Sequence, residues 1–319
     1  MIALENAVVG YGPDKAFIAA VDDVTITIGD NEIVGIAGES GCGKSTLLRA
    51  LYGDFTHGLR QRGGEINARF TDAGTGTTVE KRGANLSELW WDQISYVPQG
   101  SMSVLNPLMK VDKQIIDGLP KREKHGSRAD LRKRIANFLK GLGLEESVLE
   151  AYPHQLSGGM RQRVLVAIAA FVNPRLILAD EPTTALDVVV QKRILLMMVE
   201  IQRRLKNTLV LVSHDLGVHY QITDRLAIAY AGKIVEIGPT QKIFAAPSHP
   251  YTQALIAALP RVGEKGQRSG LEGRPPSLVK PPQGCRFAAR CPEAQDICRA
   301  QSPELKMRSA DRPVACHFR

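Results

Sequence analysis

The sequence predicts an α/β chain organised around a largely parallel sheet, and three observations carry that prediction. A run of apolar and β-branched residues, Ile33-Val34-Gly35-Ile36-Ala37, passes through a glycine-rich turn into the helical stretch Lys44 to Leu51. A second apolar strand, Leu176-Ile177-Leu178-Ala179, ends in two carboxylates, Asp180 and Glu181. Around both, strand and helix patterns alternate, the arrangement that builds a parallel sheet with its ligand at the strand C-termini.

The bulk numbers agree. A chain of 319 residues is too long for one small domain and suggests two or so units with ample core. Hydrophobic content of 44% and charged content of 23% are ordinary for a globular protein, and 5% aromatics argue against base-stacking platforms for single-stranded nucleic acid. Residues Met1 to Asn6 lack the basic start and apolar block of a signal peptide, and the longest apolar run, Val164 to Val172, is far short of a membrane span. The expectation is a cytosolic chain whose membrane role comes through a partner. The net charge of +8 is uneven: residues 261–319 hold 12 Lys/Arg against 6 Asp/Glu. Such a tail can bind nucleic acid or anionic lipid, or neutralise something local. Four of the five cysteines lie in it, which marks a special C-terminal unit rather than a disulfide-rich secreted fold.

In chain order, Leu4 to Val9 and Val24 to Ile28 read as short strands, with Tyr11 in a loop between them. Gly63 to Phe70 reads as a turn and an antiparallel strand, and Thr71 to Thr78 as a polar loop. Ser95-Tyr96-Val97-Pro98 ends a strand with Gln99 at its exit. Val111 to Gly118 and Asp130 to Leu142 have helical spacing, the second capped by Ser127-x-x-Asp130. Val164 to Val172 is helical, Val188 to Leu205 a helix, Leu209 to Val212 a strand, and Arg225 to Ile237 a hairpin turning at Ala231-Gly232-Lys233.

Gly38-Glu39-Ser40-Gly41-Cys42-Gly43-Lys44-Ser45-Thr46, between strand and helix, fits a P-loop (Walker A). Its glycines let backbone N–H groups turn inward as an anion nest on a helix N-terminus. Lys44 then reaches the β/γ-phosphates of ATP and Ser45 ligates Mg²⁺. Asp180 fits the strand-end carboxylate that holds Mg²⁺, and Glu181 is placed to polarise water. Cys42 stands at a position that accepts many residues and reads as an inert thiol, with a pKa lowered by the helix N-terminus and ATP-protected alkylation as the alternative. Leu156-Ser157-Gly158-Gly159-Met160-Arg161-Gln162-Arg163 opens a helix with a second anion-binding N-terminus, suited to a phosphate on another subunit.

At this stretch the chain resembles the ABC (ATP-binding cassette) family over residues 1 to about 245. GESGCGKST, Gln99 as Q-loop, LSGGMRQR as signature, LILADE, Ala185-Leu186-Asp187 as D-loop and His214 as switch histidine stand in the family's order. Tyr11 aligns with the adenine-stacking aromatic. The resemblance implies an α/β P-loop NTPase (ABC ATPase) with an antiparallel β subdomain, a helical subdomain and a C-terminal Cys-containing extension. The expected boundaries are 1–99 with 164–245 for the nucleotide-binding core, 100–163 for the helical signature subdomain, and 246–319 for the extension. It further implies a head-to-tail dimer, in which Ser157, Gly158 and Gly159 of one subunit complete the ATP site formed by Gly38, Ser40, Gly41, Cys42, Gly43, Lys44, Ser45 and Thr46 of the other. Gln99 joins Ser45 and Asp180 around Mg²⁺, while Glu181, His214 and Gln99 serve catalysis.

Within the family, Gly100-Ser101-Met102-Ser103-Val104-Leu105-Asn106-Pro107, Tyr152 to Met160, Pro182 to Asp187, and Ser248-His249-Pro250-Tyr251-Thr252-Gln253-Ala254-Leu255 resemble the oligopeptide/dipeptide importer ATPases. Gly100-Ser101 replaces the usual Asp-Pro after the Q-loop glutamine. Cys285, Cys291, Cys298 and Cys316 lie too far apart for short zinc chelates, and on spacing alone zinc and an iron–sulfur cluster both stay open. The resemblance tips the expectation to a 4Fe-4S cluster, with Arg286, Arg290 and Arg299 as its neutralising shell. That reading accounts for the basic tail without nucleic acid.

The implied role is the ATPase subunit of a bacterial importer of di-/oligopeptides or a related solute, peripheral to the cytoplasmic face of the cell membrane. Its partners would be two integral membrane permease subunits, an extracytoplasmic solute-binding protein and a second ABC ATPase, a paralogue or a second copy of this chain. Nickel, glutathione and oligosaccharide are the substrate alternatives. A soluble ABC ATPase acting on ribosomes or DNA is the functional alternative, disfavoured because neither tandem cassettes nor a long coiled-coil insertion is present.

Overall fold

The computed structural model describes residues 1–71, 76–100, 104–259, 271–309 and 311–319. The chain opens with β1 (Ile2–Tyr11), β2 (Ile18–Ile28) and β3 (Ile33–Ala37), then α1 (Lys44–Tyr52), β4 (Leu59–Thr71), β5 (Thr78–Arg82) and β6 (Ile94–Val97). Helices α2 (Val111–Gly118), α3 (Arg128–Gly141) and α4 (Gly158–Phe171) follow. Next come β7 (Leu176–Asp180), α5 (Val188–Leu205), β8 (Thr208–Val212), α6 (Leu216–Ile222), β9 (Arg225–Tyr230) and β10 (Lys233–Pro239). Helix α7 (Thr240–Ala245) ends the core, and the extension adds α8 (Pro250–Ala257), α9 (Asp296–Ala300), β11 (Lys306–Ser309) and β12 (Arg312–Val314).

Two sheets result. The smaller is antiparallel in the order β2-β1-β4-β5. The larger runs β11-β12-β10-β9-β3-β8-β7-β6, with β9, β3, β8, β7 and β6 parallel to one another. Strands covered on both faces need apolar residues at every position, and β3, β7 and β8 are buried throughout. Alternate side chains serve different cores: Leu209 and Leu211 face the helical layer, whereas Val210 and Val212 face α1 and the antiparallel sheet. The P-loop strand is thereby held from both sides, which fixes the turn that leaves it.

Several local expectations are met and others shift. Ser127 and Asp130 form the full capping box of α3, and Ala231-Gly232 makes the hairpin turn with both residues at positive φ (45° and 84°). Gly63-Gly64 is not a turn: it lies inside β4, where the register slips between Glu5 and Val8 of β1 and a Cβ on Gly64 would lie 2.2 Å from Asn6 O. Strand β5 and helix α6 went unread, the first because Thr78–Arg82 is polar and exposed on alternate positions, the second because it is only seven residues long. The expected polar loop at 71–78 falls partly on residues 72–75, and the importer-like segment after Gln99 partly on residues 101–103, both outside the described residues.

Helix α4 runs unbroken across the boundary expected at 163, so signature and core share one rigid rod. The extension is likewise tied in. β12 pairs with the edge strand β10 at Glu236↔Val314. The fully buried Glu236 carboxylate accepts hydrogen bonds from the backbone N–H groups of Ser248 and His249 (2.9 Å each) and from Arg312 Nη2 (2.6 Å). A buried charge with three donors is satisfied in place, and losing one partner is costly.

His219 on α6 is also buried, packed beneath Gly35 of the P-loop strand, where a Cβ would lie 2.3 Å from its Nδ1. Nε2 lies 3.1 Å from Ser213 O and Nδ1 has no hydrogen-bond partner, the pattern of a neutral ring donating through Nε2. Burial lowers its pKa from 6.5 to about 4. The unfolded chain therefore binds this proton near pH 6.5 and the folded chain only near 4. The stabilisation is full above the unfolded value and declines as pH falls between the two. Urea unfolding of wild type should lose stability on the order of 3 kcal/mol through this group between pH 7 and 4. The loss should be smaller in His219→Gln, and identical pH slopes in the two proteins would rule the group out.

Candidate active site

The P-loop wraps at the C-terminal end of β3. Gly41 and Gly43 sit at φ 75° and 100°, and a Cβ on Gly43 would lie 2.0 Å from Ala20 O, so only glycine fits there. Lys44, 5% exposed, donates from Nζ to the carbonyls of Gly38 (2.8 Å) and Glu39 (2.9 Å). These bonds stretch the ammonium back across the loop. Ser45 Oγ donates to Asp180 Oδ1 (3.0 Å), and the Tyr96 hydroxyl donates to Asp180 Oδ2 (3.2 Å). Burial pushes the Asp180 carboxyl above the ordinary range, opposed by those two hydrogen bonds. A divalent cation at this carboxylate would offset the burial.

Glu181 follows at φ 44°, a conformation costly for glutamate and typical of functional positions. Its Oε2 accepts from Gln99 Nε2 (3.1 Å) and Thr184 Oγ1 (2.8 Å), and its Oε1 lies 3.3 Å from His214 Nδ1. Residues separated by up to 115 positions in the chain, Gln99, Glu181 and His214, thus meet at one carboxylate. A cavity of about 350 Å³ joins Tyr11, Ser40, Gly41, Gly43, Lys44, Ser45, Thr46, Gln99 and Glu181. The Tyr11 hydroxyl lies 3.5 Å from both Thr46 Oγ1 and Arg49 Nη1.

Ser157, Gly158 and Gly159 line no part of this cavity. Ser157 caps α4, its Oγ accepting from Met160 N (3.2 Å), and is exposed, with Gly158 half-buried and Gly159 buried against Val190. Asp187 of the D-loop caps α5 through Val190 N (3.0 Å). Tyr96, Thr184 and Leu278 were missed in the sequence. Alternation along β6 places Tyr96 and could have signalled it, but Leu278 sits in a proline-rich loop that carries no pattern.

One alternative falls away and one expectation is corrected. Cys42 is 4% exposed, and burial raises its thiol pKa, outweighing Lys44, so it is not an activated nucleophile. The arginines expected to shield the cysteines are engaged elsewhere: Arg286 pairs with Asp22, Arg290 with Glu39 of the P-loop, and Arg299 with the exposed Asp296. Cys285, Cys291, Cys298 and Cys316 do converge, lining one cavity with Phe287, Ala288 and His317. Burial raises the thiol pKa of Cys285 and Cys291. Among the described residues no three His, Cys, Asp or Glu side chains are arranged to hold a metal, so the geometry by itself supports neither zinc nor a cluster.

Comparison with known proteins fits this site. Residues 21–184 match the ABC transporter model, and residues 235–298 match the oligopeptide/dipeptide transporter C-terminal region. The chain is 36% identical to the dipeptide transport ATP-binding protein DppD of Escherichia coli, covering 100% of this chain and 96% of the relative. It is 37% identical to the oligopeptide transport ATP-binding protein OppD of Salmonella typhimurium, covering 99% and 93%. Among solved structures it is similar to the ATP-binding cassette MJ0796 in a dimeric post-hydrolysis state bound to ADP and Pi. That match has 28% identity and a TM-score of 0.62, covering 75% of this chain and 99% of the other. No helix among the described residues is long and apolar enough to cross a membrane. With its phosphate loop, paired strand-end carboxylates and C-terminal region, the chain belongs to the ABC transporter family and is an ATPase of the oligopeptide/dipeptide type.

Proposed function

We propose that this chain powers uptake of di- or oligopeptides, or a related small solute, as a peripheral subunit on the cytoplasmic face of a bacterial membrane. The observation that carries the reading is the meeting of Gln99, Glu181 and His214 beside an intact P-loop, in a chain whose extension matches the oligopeptide/dipeptide type. The P-loop amides and Lys44 hold the β- and γ-phosphates. Ser45, Asp180 and Gln99 are the residues that would hold Mg²⁺, which neutralises charge on the phosphates when bound. Glu181 accepts the proton of the attacking water, while Gln99 and His214 hold that carboxylate in place. Tyr11 stacks on the base. The exposed Ser157 and half-buried Gly158, with Gly159 packed behind them, complete the site of a second ATPase subunit, a paralogue or another copy of this chain.

Val104 and Leu108, 43% and 85% exposed beyond the Q-loop, offer apolar contact to a permease subunit. The nucleotide core over 1–99 and 164–245, the helical unit over 100–163 and the extension from 246 are the functional divisions. The complex with two permease subunits, reconstituted with its solute-binding protein, should take up labelled dipeptide only with ATP. ATP-dependent uptake of nickel, glutathione or an oligosaccharide instead would redirect the substrate assignment.

The four cysteines are proposed to hold a 4Fe-4S cluster. What supports the reading is that the four thiols line one cavity and that four cysteines are the ligand set such a cluster takes. The group would be structural, since the sequence provides no second redox centre. Anaerobically purified chain should be brown, with iron and acid-labile sulfide in equal amounts, and Cys298→Ser should lose both. Stoichiometric zinc without iron would replace this assignment.

A further inference from the structure

The nucleotide cavity has one wall that does not come from the cassette core. Leu278, in the segment between α8 and the first cysteine, lines it together with Tyr11, Ile18 and Ala20. Its side chain is only partly buried, packed on one side against the cluster of Tyr230, Tyr251 and Phe287. The adjoining Val279 is 62% exposed. An apolar side chain half-buried at the rim of a polar cavity still has surface to give to a ligand.

The segment is held there by arginines that the ligation of a cluster does not occupy. Arg290 donates from Nε to Glu272 O (2.9 Å) and from Nη2 to Leu271 O (3.2 Å), which fixes the backbone a few residues before Leu278. The same guanidinium grips Glu39 of the P-loop with two bonds, Nη1 to Oε2 (2.9 Å) and Nη2 to Oε1 (3.0 Å). The Tyr251 hydroxyl accepts from Glu39 N (3.0 Å), so α8 holds the same residue. On the other flank Arg286 bonds both Ala231 O and Asp22, two residues from Ala20 in β2. The segment is therefore referenced to the P-loop on one side and to the β2 wall of the cavity on the other.

We infer that Leu278 is a nucleotide-binding residue: the C-terminal extension supplies an apolar contact to the base or ribose of ATP, across from Tyr11 and Ile18, with Arg290 as its positioning residue. The chemistry selects that end of the nucleotide, because an aliphatic side chain gains nothing from a phosphate and gains by covering the uncharged part. The inference rests on the ATP site proposed above and assigns part of it to the extension.

The test is calorimetric titration of the full chain with MgATP and, separately, with magnesium tripolyphosphate. Leu278→Ala should weaken ATP binding by about fivefold, the loss for one partly covered aliphatic side chain, and leave tripolyphosphate affinity unchanged. Leu278→Met should bind ATP like wild type, and Val279→Ala should do the same. Equal ATP affinity in Leu278→Ala and wild type would overturn the contact. Parallel losses for ATP and tripolyphosphate would overturn it too, because the segment would then be acting only on P-loop shape. Failure of wild type to bind ATP would instead overturn the site on which the inference rests.

Discussion

Glu181→Gln should bind MgATP with near wild-type affinity while hydrolysing it at least about 100-fold more slowly, the scale expected when a positioned general base is removed. The substitution keeps the side-chain shape, and one oxygen still accepts a hydrogen bond. The lost property is proton acceptance at a residue held by Gln99, Thr184 and His214 in a strained backbone conformation. None of those partners touches Lys44, whose own bonds run to Gly38 and Glu39, so phosphate binding is left intact. Turnover near the wild-type rate, measured as phosphate release under saturating ATP, would remove Glu181 from this role. A large loss of ATP affinity would also be informative, since it would make the residue a ligand of the resting complex.

Gly158→Asp separates binding from hydrolysis by a different route. The first N–H groups of a helix have no partner within it, and the helix dipole adds positive potential there. In the isolated subunit an aspartate in the first turn of α4 should be neutral or mildly stabilising, with ATP affinity unchanged, because the signature lies outside its own cavity. Across an interface the same carboxylate would meet the γ-phosphate of the opposing subunit and repel it. Hydrolysis should fall by about 100-fold, comparable to losing one donor to a developing oxyanion. The wild-type midpoint of thermal unfolding together with the lost turnover is the expected pair of results. Turnover within a factor of two of wild type would argue that the signature does not complete a second site.

The extension alters how the fold divides. By sequence it begins at 246, yet its strand β12 adds to the edge of the main sheet, and its arginines close on Asp22, Glu39 and Glu236 of the core. Three of the tail's arginines thus serve carboxylates of the nucleotide domain, while other basic residues pair within the tail. The Arg290–Glu39 pair, with Arg290 6% and Glu39 23% exposed, is bidentate and shielded, the geometry in which an ion pair holds position. Its effect on Arg290 is to raise the guanidinium pKa further, chiefly through the hydrogen bonds to Glu39.

Much of the nucleotide site was legible in the residues alone. A P-loop is local: nine consecutive residues carry the nest, the lysine and the hydroxyl, and the flanking strand and helix are set by short-range pattern. The strand ending in Asp180 and Glu181 was legible for the same reason, and so was the cap of α3. What the sequence could not supply is distance between residues far apart in the chain. Only the packed sheet brings β6 beside β7, so that Tyr96 reaches Asp180 and Gln99 reaches Glu181. Burial, too, is a property of the assembled core. It decides between the two readings of Cys42 in favour of a suppressed thiol and keeps His219 neutral. Leu278 and the arginine clamps depend on where a patternless loop comes to rest. The chain by itself determined which phosphate chemistry it carries, because that chemistry is written in contiguous motifs. Tertiary structure alone decided that the C-terminal extension forms a wall of the same site, because long-range ion pairs and burial have no local signature.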